Sequence, residues 1–277
     1  MDTLLQALVM GIVQGLTEFL PVSSSGHLVI VPFLLGWDDP FITSLEFSVM
    51  LHIGTLVALL VYFRRDWLRL VPAGLAAVRD RSFAGDPDRR LAWLIAAATV
   101  PALVAGFVLN DLIEDQFREV GLVALMLIVG GAILWLAERH GRRDATIGGL
   151  SLPVAIGIGG AQALALVPGI SRSGISIAAG LFAGLERDAA ARFSFLMATP
   201  ITAAAGAYEG LTLLRGESGV VIQVVPLVAG MVASLVAGFL AIAVLLRFLR
   251  TRSTDVFVAY RVLLALLVVV VWLGLQR

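Results

Sequence analysis

The sequence of 277 residues contains no cysteine and no lysine, and only 14% of its residues are charged. The absence of cysteine excludes disulfides, thiolate nucleophiles and cysteine-ligated metals, and the absence of lysine excludes catalysis by a lysine amine. All 20 basic residues are therefore arginine, and 20 acidic residues balance them. Because the chain has no net charge and no basic tail, it lacks the electrostatic footprint of a nucleic-acid-binding protein.

Apolar residues are abundant instead. They make up 59% of the chain, and the mean hydropathy is +0.97. Soluble domains contain about 45–50% apolar and about 25% charged residues, so the apolar excess of this chain has to face lipid. The composition predicts an all-α, polytopic integral membrane protein.

Six apolar stretches are long enough to cross a bilayer at about 20 residues per span; they cover residues 42–63, 91–109, 120–137, 190–213, 220–246 and 256–275. Arginine clusters orient these spans, because cytoplasmic loops are enriched in basic residues. Seven arginines lie within 64–90, and further clusters lie at 139–143 and 247–252, whereas 110–119 is acidic. We therefore predict that the arginine clusters face the cytoplasm and that the acidic segment and both termini face outside.

Residues 1–41 and 144–189 remain, and this orientation requires each region to begin and end on one side of the membrane. Each combines a long apolar arm with a short one: 4–20 with 27–36, and 147–167 with 174–185. A helix of ten to twelve residues is about 15–18 Å long and cannot span a core of about 30 Å. The sequence predicts two re-entrant helical hairpins that enter from opposite faces. In the alternative, the long arms cross the membrane and the short arms lie on its surface.

The two halves of the chain are also related in sequence. A shift of 148 residues matches five pairs: Gln14 with Gln162, Leu16 with Leu164, Ser23 with Ser171, Ser25 with Ser173, and Gly26 with Gly174. Three spans follow each hairpin. Together with the opposite directions of the hairpins, this predicts an inverted-topology repeat of residues 1–143 and 144–277 within one membrane domain. The two hairpin tips then face each other near the midplane.

The tips read PVSSSGH from Pro21 and PGISRSG from Pro168, so each supplies hydroxyls, a glycine and the start of a helix. Backbone N–H groups at a helix start bind anions such as phosphate. Arg172 adds a guanidinium fork for two phosphate oxygens, and an arginine at membrane depth is costly without a partner or substrate. We predict the following phosphate-binding residues: Ser23, Ser25, Gly26, Ser171, Arg172, Ser173 and Gly174. In the alternative, Arg172 only pairs with Glu18 and pins the tips together.

Three further polar residues stand near the first tip or in the last span. Glu18 lies four residues after Gln14, so both side chains share one helix face and can offer a carboxylate and an amide oxygen to a hard divalent cation. We predict Glu18 and Gln14 as metal ligands, with Glu18 as a proton carrier in the alternative. His27 can exchange a proton near neutral pH. Arg261 is predicted to snorkel from the last span to the cytoplasmic surface.

Two motifs carry a resemblance to a known family. The run QGLTEFLPVSSSGHL, which begins at Gln14, resembles the first signature of the undecaprenyl-diphosphate phosphatases, the BacA or UppP family, and PGISRSG resembles the second. The resemblance covers essentially the whole chain. Gln14 stands where that family has Glu or Gln, and Ser48 stands where an acid is expected, which weighs against a two-carboxylate metal site.

The resemblance implies an enzyme of the bacterial inner membrane that removes the terminal phosphate of undecaprenyl diphosphate. The product, undecaprenyl phosphate, returns to cell-wall synthesis as a lipid carrier, and bacitracin resistance follows because bacitracin sequesters the same diphosphate lipid. The resemblance further implies a divalent cation, Mg²⁺ or Ca²⁺, and a homodimer. Gly130 and Gly131 allow the close helix packing that a homodimer requires.

For the chemistry, phosphoryl transfer needs in-line attack and stabilisation of the phosphate charge. We assign Ser24 as the nucleophile and Arg172 as the phosphate clamp. His27 is the base for Ser24, or the acid and base for a later water. Glu18, aided by Gln14, holds the cation. Direct attack by water, with Ser24 only donating a hydrogen bond, is the alternative. We expect the active site to open to the outer side of the membrane. The rival function is a polyprenyl-phosphate flippase or transporter, because inverted repeats with broken helices also build transporters.

Overall fold

The chain is built from helices throughout the computed structural model, which describes residues 2–83, 85–116, 119–215 and 221–275. This confirms the predicted all-α membrane protein. The helices are α1 Thr3–Phe19, α2 Ser24–Leu35, α3 Leu45–Tyr62, α4 Arg64–Asp80, α5 Pro87–Gln116, α6 Val120–His140, α7 Leu152–Ala163, α8 Arg172–Phe182, α9 Arg187–Leu214, α10 Val224–Leu249 and α11 Asp255–Leu275.

Within the described residues, five helices are long and apolar enough to cross a membrane: α3, the Pro87–Leu109 part of α5, α6, α10 and α11. The remaining predicted span, 190–213, forms α9, which has 28 residues but is not among the five. Its described residues include polar side chains that are buried against the rest of the protein, among them Ser194, Thr199 and Thr202. The helix is therefore less apolar because one of its faces contacts protein and not lipid.

The predicted end of the second span needs a correction. Helix α5 continues to Gln116, so the segment at 110–119 is not a loop from residue 110 onward. The helix continues because 110–116 contains neither proline nor glycine, the two residues that most strongly end helices. The side chains of 110–118, which include most of the predicted acidic cluster, lie outside the described residues, as does Val220 at the predicted start of the fifth span.

The two predicted hairpins are present as pairs of short helices, α1 with α2 and α7 with α8, and the helices of each pair pack together. Helix α2 has 12 residues and α8 has 11, so each is about 17–18 Å long and too short to cross a membrane. Short 3₁₀ segments, Ile147–Gly149 and Leu164–Leu166, flank α7. The sides from which the hairpins enter remain a prediction.

Each hairpin packs against the opposite half of the chain. Helix α1 lies on α10, and α7 lies on α5. Two glycines separated by the same 148 residues make these contacts possible, because a Cβ at Gly11 would collide with the carbonyl of Gly230 and a Cβ at Gly159 with that of Ala98. This reciprocal packing, in which each hairpin lies on a helix of the other half, is expected of two related halves. The division of the repeat at residue 143 stays a prediction.

Helix α4 was not predicted, because its arginines made residues 64–90 resemble a loop. Its apolar residues recur at helical spacing and leave an exposed stripe that consists of Leu68, Val71, Leu75 and Val78. Such a helix, with charge on one face and apolar residues on another, lies in a membrane interface. Hydrogen bonds from Arg79 and Arg89 lower the pKa of Asp80 at the end of α4.

A buried carboxylate joins three helix ends near the second arginine cluster. Glu138, at the end of α6, is 2% exposed and pairs with Arg187 at the start of α9. It also accepts hydrogen bonds from Arg143 Nη1 at 2.7 Å and from Thr254 Oγ1 at 2.9 Å, just before α11. This network fixes the positions of three helix ends relative to one another.

Candidate functional site

The two hairpin tips have the same local structure. Ser23 and Ser171 both have φ of 77°, in the left-handed region that is costly for residues other than glycine. Each is the N-cap of the following helix: Ser23 Oγ accepts from the N–H of Gly26 at 3.3 Å, and Ser171 Oγ accepts from that of Gly174 at 3.1 Å. The turn that the serine motifs predict is therefore present in both tips.

The tips contact each other directly, as the repeat predicts. The N–H of Gly169, in the second tip, donates to Ser23 Oγ at 3.1 Å. In return, Ser173 Oγ donates to the carbonyl of Leu20 at 3.1 Å. Helices α2 and α8 consequently begin next to each other, and their two positive dipole ends meet at one place, which suits an anion.

Glu18 is the centre of the polar cluster at this place, and it is 7% exposed. Ser24 Oγ donates to Glu18 Oε2 at 2.6 Å, and Gln14 Nε2 donates to the same oxygen at 3.0 Å. Arg172 Nη2 pairs with the other carboxylate oxygen, Oε1. Three of the predicted site residues therefore meet at one carboxylate, and a hydroxyl beside a carboxylate is the arrangement that proton removal requires.

Two residues of this cluster were not predicted as members of the site. His52, on α3, places Nε2 at 3.4 Å from Glu18 Oε2, while its Nδ1 is 2.8 Å from the carbonyl of Ser48. Thr202, on α9, accepts from Arg172 Nη1 at 2.9 Å. Both stand alone in apolar segments far from the motifs. A polar side chain within a predicted span was the available signal.

His27 does not occupy the predicted position. Its Nδ1 lies 2.7 Å from the carbonyl of Ser23, and its Nε2 lies 2.7 Å from the hydroxyl of Tyr260. Both ring nitrogens are thus engaged away from Ser24, and the ring is 4% exposed. The prediction that His27 is the base for Ser24 does not agree with this geometry, because His27 follows Ser24 by three residues on α2 and points toward α11 instead.

The predicted phosphate-binding residues divide into two groups. Ser23, Ser171 and Ser173 use their hydroxyls to cap helices or to link the tips, so they build the site and do not lie free in it. Ser25 Oγ is 3.4 Å from Ser23 Oγ. The N–H groups of Gly26 and Gly174 are bonded to the capping serines. Ser24 and Arg172, the first residues of α2 and α8, are the tip residues whose side chains contact Glu18.

The residues predicted to hold a divalent cation do not form a cation site in this arrangement. Gln14 turns its amide N–H, and not its oxygen, toward Glu18, and Gln14 Oε1 is buried without a hydrogen-bond partner. Both oxygens of Glu18 already accept hydrogen bonds from neighbouring side chains. Across the described part of the chain, three or more His, Asp or Glu side chains do not gather at any metal-binding position. Mg²⁺ or Ca²⁺ binding by Glu18 and Gln14 alone is not supported.

Arg261 does not snorkel to the surface. It is fully buried, and its guanidinium donates to backbone carbonyls of α6 and of both tips, including Leu127 at 2.9 Å and Gly169 at 2.7 Å. Gly130 and Gly131 face this side chain, since a Cβ at Gly130 would collide with Arg261 Nη2. Gly130 therefore makes room for Arg261, and neither glycine gives support to a homodimer.

Comparison with known proteins agrees with the motifs. The family model described as "Bacitracin resistance protein BacA" matches residues 7–267. A protein from Desulforudis audaxviator named undecaprenyl-diphosphatase is 47% identical over 266 residues, which cover 96% of this chain and 97% of the relative. Proteins of the same name from Thermomicrobium roseum and Moorella thermoacetica are 46% and 44% identical, over 96% and 98% of this chain and 97% and 99% of their own lengths. Because these matches span nearly the whole sequence, the chain belongs to the BacA family.

Proposed function

We propose that this protein is a membrane phosphatase that hydrolyses undecaprenyl diphosphate to undecaprenyl phosphate and inorganic phosphate. The observation that carries the proposal is the contact of Ser24 and Arg172 with one carboxylate, Glu18, where α2 and α8 begin. In the proposal, Ser24 is the nucleophile, Glu18 is its base, and Arg172 is the cationic side chain that binds the phosphate. The printed name of the relatives, undecaprenyl-diphosphatase, supplies the lipid substrate.

In the proposed reaction, Glu18 takes the proton of Ser24 while Ser24 Oγ attacks the terminal phosphorus. The new Oγ–P bond forms as the bond from that phosphorus to the bridging oxygen breaks, and undecaprenyl phosphate leaves with the electron pair. Arg172 and the converging N-termini of α2 and α8 stabilise the charge of the transferred phosphoryl group. Arg172 must loosen its contact with Glu18 to reach the phosphoryl group. The hydrogen bond from Arg172 Nη1 to Thr202 holds the guanidinium in place meanwhile.

The second half of the reaction releases inorganic phosphate. Glu18 first passes the proton of Ser24 to the departing undecaprenyl phosphate and becomes a carboxylate again. It then removes a proton from water while the water oxygen attacks the phosphoserine. The bond from phosphorus to Ser24 Oγ breaks, and Ser24 Oγ takes that proton from Glu18. His52 lies against Glu18 and orients its carboxylate during both proton transfers. Direct attack by water on the diphosphate, with Ser24 only donating a hydrogen bond, is the rival route that the serine variants test.

The proposed setting is the bacterial inner membrane, with the site open to the outer side. The three arginine clusters support this orientation through the positive-inside rule. Release of undecaprenyl phosphate then returns the lipid carrier to peptidoglycan synthesis, and consumption of the diphosphate lipid removes the target of bacitracin. A homodimer remains part of the proposal on the family resemblance alone; cross-linking of the protein in native membranes tests it.

The test of this function is phosphate release from undecaprenyl diphosphate by the purified chain in detergent. Phosphate release by the parent protein, together with its loss in the Ser24→Ala variant, supports the phosphatase function. A flippase or transporter of the same architecture releases no phosphate, yet moves the lipid between leaflets of a vesicle. That outcome, transport without hydrolysis, would reject the proposal, and none of the described contacts favours it.

A further inference from the structure

We infer that Arg261 is the positioning residue that locks the two hairpin tips together and thereby sets the relation of Ser24 to Arg172. The expected effect of Arg261 on kcat rests on the proposed phosphatase function. The contact of Arg261 with both tips does not depend on that function. Neither the motifs nor the proposed reaction uses Arg261. It lies on α11, distant in sequence from both tips.

The guanidinium joins three separate parts of the chain through hydrogen bonds to backbone carbonyls. Nη1 donates to Pro21, in the first tip, at 3.3 Å. Nη2 donates to Gly169 and Ile170, in the second tip, at 2.7 and 3.0 Å. On α6, Nε donates to the carbonyl of Leu127 at 2.9 Å. One rigid, planar group therefore holds both tips against a membrane-spanning helix.

The surroundings of Arg261 are unlike those of an ordinary buried ion pair. Its hydrogen-bond acceptors among the described residues are backbone carbonyls and not carboxylates, and its side chain is fully buried. A buried cation without a counter-ion is costly, so a chain that retains one at membrane depth gains something other than stability from it. Carbonyl dipoles alone compensate this charge, and those dipoles belong to the backbone that carries the reacting groups.

The backbone geometry shows how the contact reaches the site. The carbonyl of Ile170 points toward Arg261, and a planar trans peptide then directs the N–H of Ser171 to the opposite side. Arg172 follows directly, and Pro21 precedes Ser24 by three residues. Small movements of these carbonyls consequently displace the nucleophile and the phosphate clamp relative to each other.

Two glycines leave the space that Arg261 occupies. A Cβ at Gly174 would lie 3.0 Å from Nη1, and a Cβ at Gly130 would lie 2.6 Å from the carbonyl of Ile170 and would collide with Nη2. At the neighbouring Gly131, the nearest atom of Arg261 would be 3.6 Å from a Cβ, which is an ordinary contact. Gly130 and Gly131 are adjacent on α6, so alanine at each position provides a matched pair of substitutions.

The kinetic experiment compares Arg261→Met, Arg261→Lys, Gly130→Ala and Gly131→Ala, with kcat and KM measured on undecaprenyl diphosphate. We expect Arg261→Met and Gly130→Ala to lower kcat about 100-fold, because misplacement of reacting groups by about 1 Å has an effect of this size. KM should change little. Arg261→Lys should recover only part of the rate, since one ammonium cannot reach all the carbonyls. Gly131→Ala should match the parent.

The structural experiment uses the absence of native cysteine. Spin labels at Leu35→Cys and Phe182→Cys, on exposed positions near the ends of α2 and α8, report the distance between the short arms. The distribution should broaden in Arg261→Met and Gly130→Ala and stay narrow in Gly131→Ala. Parent-like kcat in Arg261→Met, or an unchanged distance distribution, would overturn the inference. A parent protein that releases no phosphate would reject the proposed function while the distance measurement still tests the lock.

Discussion

Ser24 and Arg172 bind the same carboxylate, Glu18, from equivalent positions in the two hairpin tips. Each is the first residue of a short helix and directly follows a capping serine with φ of 77°, and they are separated by the 148 residues that relate the two tips. The first tip supplies the hydroxyl of Ser24, and the second tip supplies the guanidinium of Arg172. The site therefore exists only where the tips meet.

Arg172→Lys should lose most of the phosphatase activity although the charge is kept. Arg172 uses separate nitrogens for Glu18 and Thr202, and an ammonium cannot reproduce two fixed directions. We expect kcat to fall about 10²–10³-fold, as for loss of a donor to the transition state. Arg192→Lys is the control, because the side chain of Arg192 is 44% exposed and pairs with Asp66 at the start of α4. Near-parent turnover of Arg172→Lys would show that the guanidinium is only a structural pin.

His27→Asn and Tyr260→Phe should be milder than loss of the base. The ring nitrogens of His27 are bonded to the carbonyl of Ser23 and to Tyr260, and thus not to Ser24. Either change loosens α2 against α11, so we expect a loss of about 100-fold or less in kcat. The two variants should also behave alike, because each removes one partner of the hydrogen bond between His27 Nε2 and the hydroxyl of Tyr260. If His27→Asn removes activity as completely as Glu18→Gln while Tyr260→Phe is harmless, the base is His27.

Glu138→Gln should destabilise the protein without affecting the chemistry. The carboxylate is buried and binds Arg187, Arg143 and Thr254, so its neutralisation leaves partly buried cations unpaired. We expect a loss of about 1–3 kcal/mol in the free energy of unfolding, seen as a lower Tm in detergent. Arg139→Gln is the matched control, because Arg139 is exposed: it pairs with Asp255 and lies over the ring of Trp135, and each contact is worth about 0–1 kcal/mol. Equal Tm values for the two variants would contradict the role of the network.

Single cysteines report the orientation directly in a chain that has none. Asp38→Cys, in the exposed segment after α2, should react with an impermeant thiol reagent added to intact cells. Arg142→Cys, in the second arginine cluster, should react only after the cells are opened, since arginine-rich loops stay in the cytoplasm. The reverse pattern would invert the topology and place the site on the inner side.

The sequence was most informative where local pattern dictates structure. Long apolar runs predicted the spans, and the repeated serine and glycine motif predicted a helix start in both tips, because these features depend on neighbouring residues. Arg261 was misassigned because its partners are carbonyls, which every residue has and no sequence marks. His52 and Tyr260 were missed for a related reason: their contacts with Glu18 and His27 arise only when separate helices pack together.

The central claim is that Ser24, activated by Glu18, attacks the terminal phosphate. The measurement is the initial rate of phosphate release from undecaprenyl diphosphate by Ser24→Ala, Ser25→Ala and Glu18→Gln, with Thr17→Val as the control, because Thr17 bonds only to a carbonyl of its own helix. We predict that Ser24→Ala loses orders of magnitude, toward the roughly 10⁶-fold of a lost nucleophile, and that Glu18→Gln is also severely impaired. Ser25→Ala should lose about 10²–10³-fold at most. Similar, modest losses in both serine variants would contradict covalent catalysis and assign the attack to water.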